Sequence, residues 1–344
     1  NAPRWVISHD QLDYHYPPPL RLTYAETYFW TKARPFRWAD GVITVSEWAG
    51  EFIRQRMRVR EAKVVQNGVK TGRFQPASPE ERARLRHEYG FTRFTVLVPG
   101  RFAPEKNQLA SVLSARYAPQ LDFIFVGDMD SSVGHLVRAI QQRFRLNNVQ
   151  FWGRRWDMPE LYRAADTLLQ PTLAENQSLV TLEAMSSGLP VVTTHIPAQA
   201  ELVEHGVTGL LVPPQPSLLA LALTRLAANP ERAQALGQAA RQHVLSAHTL
   251  DGTAQQVARV LREQAAPQRC LLVDCLTLWL TNLLMLEDPQ RLAAERDALD
   301  GSATFDIPAQ PVSEALNAYD GALIVVSHDV DFLAALKITR TVQL

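Results

Sequence analysis

The sequence of this 344-residue chain predicts an α/β protein built on parallel sheets, followed by an α/β tail. Short apolar runs alternate with helical patterns, which is typical of strand–helix–strand units with parallel strands. The composition, 46% hydrophobic and 20% charged residues, is ordinary for a soluble protein with about two domains. The longest apolar run, 270–286, contains Asp274 and Asn282 and is shorter than the roughly 20 residues of a membrane-spanning helix.

The first predicted domain, residues 1–76, is a partial α/β layer with parallel strands. Its strand-like runs lie at 5–8, 41–46 and 63–66, with helical patterns between them. The segment carries 12 Lys and Arg against 7 Asp and Glu, with a basic cluster at 54–63. A solvated helix face explains the cluster, and contact with acceptor phosphates or an anionic membrane surface is the alternative. Since the chain opens on Asn1, its start is expected to be a truncation or a processed end.

The second predicted domain, residues 77–250, is a doubly wound sheet. Its six strand-like runs lie at 94–100, 121–126, 149–152, 167–170, 191–194 and 210–212. Asp157, Pro159 and Glu160 have the spacing of an N-cap, an early proline and a capping-box acid. Helices are expected at 217–228, 230–246 and 251–264, and residues 251–266 form a terminal helix and linker. Ligands of such a sheet bind at the carboxyl ends of its strands.

The stretch from Pro171 to Val192 predicts an anion site. Apolar residues at helical spacing run from Ser178 to Ser187, and Gly188 and Pro190 supply a stop signal. A loop carrying Glu175 therefore enters a helix carrying Glu183. Backbone N–H groups and the positive end of the helix dipole would face whatever occupies the loop, which is a phosphate-binding arrangement.

Several motifs together resemble a known family. They are GVITVSEW (41–48), VVQNGVKTGRFQP (64–76), VPGRFAPEKNQ (98–108), FVGD (125–128), MPELYRAADTLLQPTLAENQSLVTLEAMSSGLPVV (158–192) and HGVTGLLVPP (205–214). In this order and spacing they resemble the retaining glycosyltransferases of the two-Rossmann-domain (GT-B) type, family 4, over residues 5–264. The resemblance implies a GT-B-like fold, with a truncated first domain, that holds a nucleotide-sugar donor between two Rossmann-like domains.

The resemblance also implies roles for individual residues. Arg101 and Lys106 would clamp the donor diphosphate, Glu175 would bind sugar hydroxyls, and Glu183 the ribose diol. His9 would reach toward the donor sugar, with a structural role as the alternative. As catalytic residues it implies His9, Arg101, Lys106 and Glu175, and as donor-binding residues Gly100, Asp128, Asn176, Gln177, Ser178, Leu179, Val180 and Glu183.

The implied reaction keeps the anomeric configuration, by front-face attack assisted by the leaving phosphate, because no second carboxylate is obviously placed as a nucleophile. Fixed cations and N–H dipoles would stabilise the departing diphosphate. We expect no cofactor, the nucleotide sugar being a substrate, and no metal. Asp128 and Asp130 spell a D-x-D that binds metal in another glycosyltransferase fold, but here it occupies a loop that the family usually fills with glycines.

The chain departs from the family in two places. Asn176 and Ser178 stand where glycines are common, so the backbone approaches a phosphate less freely, and the Ser178 hydroxyl could substitute. The family's first domain, on the acceptor side, normally begins with further strands and a glycine-rich loop, which the sequence from Asn1 onward does not contain.

The tail, residues 267–344, resembles fragments of other proteins. CLLVDCLTLWLTNLL (270–284) resembles an adenosylcobinamide kinase, FDIPAQPVSEAL (305–316) a secretin and TonB-type short N-terminal domain, and ALIVVSHDVDFL (322–333) an ABC-type ATPase. The sequence contains no G-x-x-x-x-G-K-[ST] loop, so neither kinase nor ATPase function is carried over. Strands are expected in the tail at 271–274, 323–327 and 339–344. One hypothesis is that they pair with the open edge of the first sheet, and the other is that the tail is a fused mosaic that packs elsewhere.

The sequence therefore predicts a glycosyltransferase with a glycan or lipid-linked acceptor. The alternative is an impaired, truncated or mosaic protein that only binds nucleotide or nucleotide sugar. The formal net charge of zero gives no reason to expect nucleic acid. The sequence has only two cysteines, Cys270 and Cys275, which predicts a location in the reducing cytoplasm. Within the cytoplasm, a peripheral position at the inner face of the membrane is a further expectation.

Overall fold

The structure, a computed structural model, describes residues 5–8, 36, 41–57, 59–264, 270–273 and 322–325. The described residues fall into two compact units. One unit holds those up to residue 67 together with those from 250 onward, and the other holds residues 68–249. The α/β fold class predicted from the sequence is confirmed, since parallel strands and helices build both units.

The first unit contains a three-stranded parallel sheet in the order β1-β2-β3. Its elements are β1 (Trp5–Ser8), β2 (Gly41–Thr44), α1 (Glu47–Met57) and β3 (Glu61–Val64). Helix α1 buries Ala49, Ile53 and Met57, one residue per turn along a single face, as a helix covering a sheet does. Strand β3 begins two residues before the predicted run at 63–66, because its first residue is an exposed glutamate that an apolar pattern does not mark.

The second unit is built on a six-stranded parallel sheet in the order β6-β5-β4-β7-β8-β9. These strands are β4 (Thr95–Pro99), β5 (Asp122–Val126), β6 (Val149–Phe151), β7 (Thr167–Gln170), β8 (Val191–Thr194) and β9 (Leu210–Val212). All six lie within three residues of the predicted runs. Strands β4, β7 and β8 are buried along their whole length, as expected for strands covered on both faces.

Helices cover both faces of this sheet. They are α2 (Pro79–Glu88), α3 (Gln108–Tyr117), α4 (Ser132–Arg143), α5 (Met158–Ala164), α6 (Leu179–Ser186), α7 (Pro197–Ala200), α8 (Pro216–Ala227) and α9 (Pro230–Ala247). The predicted capping box of α5 is wrong. Asp157 is the N-cap residue but makes no side-chain cap, because its carboxylate accepts hydrogen bonds from Arg155 and Tyr89.

The second unit begins nine residues before the predicted domain boundary at 77. Segment 68–76 is tied to helix α9, which explains the shift. The Val69 N–H donates to the His248 carbonyl (2.9 Å), and the guanidinium of Arg241 donates to the Phe74 carbonyl (2.8 Å). The helix predicted at 251–264 is α10 (Leu250–Gln264), and it belongs to the first unit. There, the Thr253 hydroxyl donates to the Gln66 carbonyl (2.9 Å).

Two tail strands are described, β10 (Cys270–Val273) and β11 (Ala322–Val325). They pair with each other in parallel and form a separate two-stranded sheet. Although β10 comes within 8 Å of β1 between Cα atoms, neither strand joins its ladder. For these two strands, the hypothesis that the tail completes the first sheet is therefore wrong, because each tail strand takes its partner from the tail. The third predicted strand, 339–344, lies outside the described residues.

Candidate active site

The candidate site lies in the middle of the six-stranded sheet, at the point where successive strands of the chain begin to add on the other side. Strands β4 and β7 are neighbours in the middle of the sheet, and the chain proceeds outward from them in opposite directions. The loops that leave their carboxyl ends therefore diverge, which opens a crevice. These two loops, 100–107 and 171–178, contain most of the residues implicated by the sequence.

Two glycines bring the loops after β4 and β5 close together. A Cβ atom on Gly127 would lie 2.1 Å from the carbonyl oxygen of Gly100, which leaves no room for a side chain. Both residues also have positive φ angles, 136° at Gly100 and 154° at Gly127, which favour glycine. The predicted donor-binding residue Gly100 is thus part of the floor of the site.

A cleft of about 460 Å³ opens above this floor. Five predicted residues line it: Gly100, Arg101, Asp128, Val180 and Glu183. Arg154, Arg155, Met158 and Tyr162 line it as well and were missed by the sequence analysis. No sequence signal distinguishes Tyr162 from an ordinary core aromatic of a short helix, because its function depends on a neighbour 21 residues away.

Arg101 is an exposed cation of the cleft. Its side chain is 75% accessible, and its guanidinium donates to Glu105 Oε1 at 2.8 Å. Glu105 itself is buried, but the guanidinium has further N–H groups beyond the one bonded to it, so it can bind an anionic ligand while it keeps this partner. This is compatible with the role implied for Arg101 at a diphosphate.

Lys106 and Glu175 form an ion pair beside the cleft. The Nζ atom of Lys106 contacts Glu175 Oε1, and the Glu175 residue is 8% exposed. The two loops that carry them are joined, since the carbonyl of Glu105 accepts hydrogen bonds from the Leu173 N–H (2.7 Å) and the Thr172 hydroxyl (2.9 Å). The predicted diphosphate cation and the predicted sugar-binding carboxylate are thus brought into direct contact, which the sequence did not reveal.

Helix α6 begins at this site, as predicted. Ser178 is the N-cap residue, and its hydroxyl oxygen accepts the Thr181 N–H at 3.2 Å. The hydroxyl is therefore already used as a cap and is not held ready for a phosphate. The first N–H groups of the helix, of Leu179 and Val180, precede the capped one, and a helix offers these groups no internal acceptor. Asn176 and Gln177 are buried beneath this turn.

Glu183 is a buried carboxyl group on the wall of the cleft. It is 6% exposed, and the Tyr162 hydroxyl donates to its Oε2 at 2.8 Å. Burial raises the pKa of the Glu183 carboxyl to about 7, although the hydrogen bond from Tyr162 and the charge of Arg73 lower it. Burial and the adjacent Glu183 raise the pKa of Tyr162 well above its usual value, so its hydroxyl remains a donor. The group is well suited to accept hydrogen bonds from a diol when ionised.

Asp128 lies at the solvent-exposed end of the cleft. Its Oδ1 accepts the N–H of Asp130 (2.9 Å), and its Oδ2 lies 3.6 Å from the guanidinium of Arg154. Within the described residues, no group of three or more His, Cys, Asp and Glu side chains is arranged to hold a metal ion. His9, the remaining predicted site residue, lies outside the described residues.

The basic cluster at 54–63 is partly used inside the first unit. The guanidinium of Arg54 donates to Glu51 (2.9 Å) and to the Ala62 carbonyl (3.0 Å). Lys63 Nζ lies 2.7 Å from Glu263 on α10. These contacts favour the solvated helix face over a phosphate or membrane contact for this cluster. In the described ranges, no helix is both long and apolar enough to cross a membrane.

Comparisons with known proteins agree with this geometry. Residues 93–229 match the family described as glycosyl transferases group 1. The matched region contains β4 to β9 and every cleft residue named above. The chain is 27% identical over 257 residues to the alpha-maltose-1-phosphate synthase of Mycolicibacterium smegmatis, covering 69% of this chain and 66% of the synthase. The glycosyltransferase resemblance predicted from the sequence is confirmed.

A solved structure with a similar fold is that of HepE from Anabaena, in complex with UDP and glucose. The two chains are 27% identical, with a TM-score of 0.64 over 75% of this chain and 71% of HepE. The GT-B-like architecture predicted from the sequence is confirmed by this similarity.

The tail resembles a different group of proteins. Residues 237–337 match the family described as cobinamide kinase / cobinamide phosphate guanyltransferase. The bifunctional adenosylcobalamin biosynthesis protein CobP of Pseudomonas aeruginosa is 48% identical over 73 residues, 21% of this chain and 35% of CobP. The predicted cobinamide kinase fragment is confirmed, whereas the secretin-like and ATPase-like fragments stay predictions.

Proposed function

We propose that the chain acts as a retaining glycosyltransferase that takes a sugar from a nucleoside diphosphate sugar. One observation carries the proposal: Arg101, the start of α6 and the buried Glu183 converge on one cleft, with the Lys106–Glu175 pair beside it. The convergence occurs at the carboxyl edge of the sheet, where ligands of this architecture bind. The bound UDP and glucose in HepE support a donor of this class.

Each group has a distinct part in the proposed reaction. The diphosphate would lie between Arg101 and the first N–H groups of α6, because a cation and a helix N-terminus both stabilise the charge that grows as the sugar departs. Glu183 would accept hydrogen bonds from the ribose hydroxyls. Glu175 would bind hydroxyls of the donor sugar, and Lys106 would pair with its carboxylate and add positive charge near the leaving group.

Retention would follow from attack on the same face that the diphosphate leaves. The acceptor hydroxyl would lose its proton to a departing phosphate oxygen as the new glycosidic bond forms and the bond to phosphate breaks. The enzyme's task is then to position both reactants and to stabilise the leaving group. The acceptor would be a glycan or lipid-linked precursor, and a peripheral position at the inner face of the cytoplasmic membrane would suit a lipid-linked one.

A second candidate is binding without turnover, because every cleft residue named above lies in the second unit. The chain spans 66% of the length of the M. smegmatis synthase. Under this proposal the cleft of the second unit would bind nucleotide sugar without delivering it to an acceptor.

Measurements of donor binding and of turnover distinguish the two candidate functions. A panel of UDP-, GDP- and ADP-sugars is first screened by thermal shift, since a ligand specific for the folded state raises Tm. Hydrolysis of the best donor is then compared between the wild-type chain and Glu175→Ala. The transferase proposal expects turnover at least about a hundredfold above that of the variant. Equal rates with retained binding would leave only the binding function.

A further inference from the structure

Gln170 occupies an unusual position for a polar side chain. It is the last residue of β7, a strand buried along its whole length, and it is 3% exposed. Its side-chain amide crosses the base of loop 171–178 and meets Glu175 on one side and the first turn of α6 on the other. A buried amide is costly unless its hydrogen bonds are made, so its orientation is strongly determined.

Two hydroxyl groups fix which end of the amide faces which neighbour. Ser178 donates to Gln170 Oε1 at 3.0 Å, and Thr181 donates to the same oxygen at 2.8 Å. Thr181 also lies 3.3 Å from Gln199 Oε1, but its single proton goes to the shorter contact. With Oε1 occupied by two donors, the Nε2 group is the end that faces Glu175, and it donates to Glu175 Oε1 at 3.3 Å.

The same Glu175 oxygen is held from a second direction by Lys106. A lysine ammonium sits on a long flexible stem and restrains a partner weakly. Gln170 differs because its backbone is fixed in the sheet, where its carbonyl accepts the Thr193 hydroxyl at 2.7 Å, and because its amide is fixed by two hydroxyls. Glycine at 178, common in the family that the sequence resembles, would supply no hydroxyl for this contact.

We propose that Gln170 is a positioning residue that joins the Glu175 carboxylate to the N-cap turn of α6. The consequence of this contact rests on the proposed function. The contact keeps the sugar-binding carboxylate of Glu175 at a fixed distance from the diphosphate-binding turn at the start of α6. A nucleotide sugar spans both, so this separation determines how well the sugar is held once the diphosphate is bound.

The test measures the gain in affinity that the sugar provides. Dissociation constants for UDP and UDP-glucose, or the matching pair for the best donor of the panel, are determined for wild type, Gln170→Leu and Glu175→Ala. We expect Gln170→Leu to bind the free diphosphate within about twofold of wild type and to lose the added affinity for the nucleotide sugar, as Glu175→Ala does. Its kcat is expected to fall while KM for the donor rises less.

Gln199→Leu is the matched control. Gln199 is fully buried and contacts Thr181, and its hydrogen bonds do not include one to Glu175. The Gln199→Leu variant therefore removes a buried amide near α6 but leaves the hydrogen bond between Gln170 and Glu175 in place. We expect this variant to keep the affinity gained from the sugar. Equal loss in both variants would overturn the proposal, as would a Gln170→Leu protein that retains the gain.

A second measurement needs no ligand. Tm is compared for Gln170→Leu, Glu175→Ala and the double variant, and we expect the double variant to lose less than the sum of the single losses. Additive losses of Tm would show that Gln170 and Glu175 do not interact. If the wild-type chain bound no nucleotide sugar of the panel, the proposed function would fail, and this cycle alone would decide whether Gln170 holds Glu175.

Discussion

Two cavities lie at opposite edges of the six-stranded sheet, and the larger one is not the candidate site. The cavity at the amino edge has a volume of about 740 Å³ and is lined by residues that precede β4, β7 and β8, whereas the cleft at the carboxyl edge has about 460 Å³. Tyr162 lines both. Volume alone would select the amino edge.

The difference lies in what the charged groups are bonded to. At the amino edge, Arg82 donates to Asp166 at 2.6 Å, Arg163 to Glu81 at 2.9 Å, and Arg241 to the Phe74 carbonyl at 2.8 Å. These cations hold segments of the chain together. At the carboxyl edge, Arg101 is three-quarters exposed, and Glu183 is a buried acid whose pKa is displaced. An exposed cation in the same cleft as a buried acid with a displaced pKa favours the carboxyl edge as the ligand site.

Arg101→Ala should have the largest effect on function. Loss of one fixed donor to a leaving group costs roughly a hundredfold or more in kcat, which is about 3 kcal/mol of transition-state stabilisation. Arg84→Ala is its control, because Arg84 is 66% exposed and lies 3.5 Å from Glu88, its i,i+4 carboxylate partner on α2. We expect Arg84→Ala to retain wild-type kinetics in a steady-state assay. Similar rates for both variants would show that Arg101 is a surface charge.

Glu183→Gln should change the dependence of stability on pH. The folded-state pKa of Glu183, about 7, lies above its usual value of 4.5, so the folded protein retains a proton that the unfolded chain releases between these values. Its contribution to stability is complete below pH 4.5 and is lost as the pH rises to 7. We expect the variant to gain up to roughly 3 kcal/mol over wild type above pH 7 and almost nothing at pH 4.5.

Urea unfolding at a series of pH values measures this difference. The same variant should bind nucleoside diphosphate more weakly at pH 8, because a neutral amide accepts less strongly from the ribose diol than a carboxylate does. A constant difference in unfolding free energy across the pH range would contradict the displaced pKa of Glu183.

Arg241→Ala tests the opposite edge and should affect stability rather than binding. Its guanidinium joins the Phe74 and Ser186 carbonyls, and the Phe74 carbonyl keeps a hydrogen bond from the Ser186 hydroxyl. Removal takes this donor from the Ser186 carbonyl and costs about 2 kcal/mol of unfolding free energy. Arg225→Ala, an exposed residue of α8, should remain within about 0.5 kcal/mol of wild type. Donor affinity should be unchanged in both. A selective loss of donor affinity in Arg241→Ala would place the ligand at the amino edge.

The sequence predicted the sheet of the second unit well because its strands are apolar, short and separated by helices. Strands β7, β8 and β9 have the bounds predicted from the sequence. Residues governed by tertiary contacts were predicted poorly. The spacing of Asp157 and Glu160 suggests a capping box, yet Arg155 and Tyr89 take the Asp157 carboxylate.

The candidate site follows the same rule. Arg101, Glu175 and Glu183 were found from motifs, because their positions in the chain are fixed relative to strands. Tyr162 and Gln170 were missed, since each acts through a side chain that only the fold brings near. The pairing of Lys106 with Glu175 was missed for that reason as well, as the two residues are 69 positions apart.

The central claim is that a nucleotide sugar binds at the carboxyl edge of this sheet. A crystal structure with the nucleoside diphosphate that raises Tm most would test it directly. The account predicts density for the ligand in the 460 Å³ cleft, with the ribose within hydrogen-bond distance of Glu183 and the diphosphate between Arg101 and the start of α6. Density in the 740 Å³ cavity at the amino edge, with the cleft empty, would contradict it.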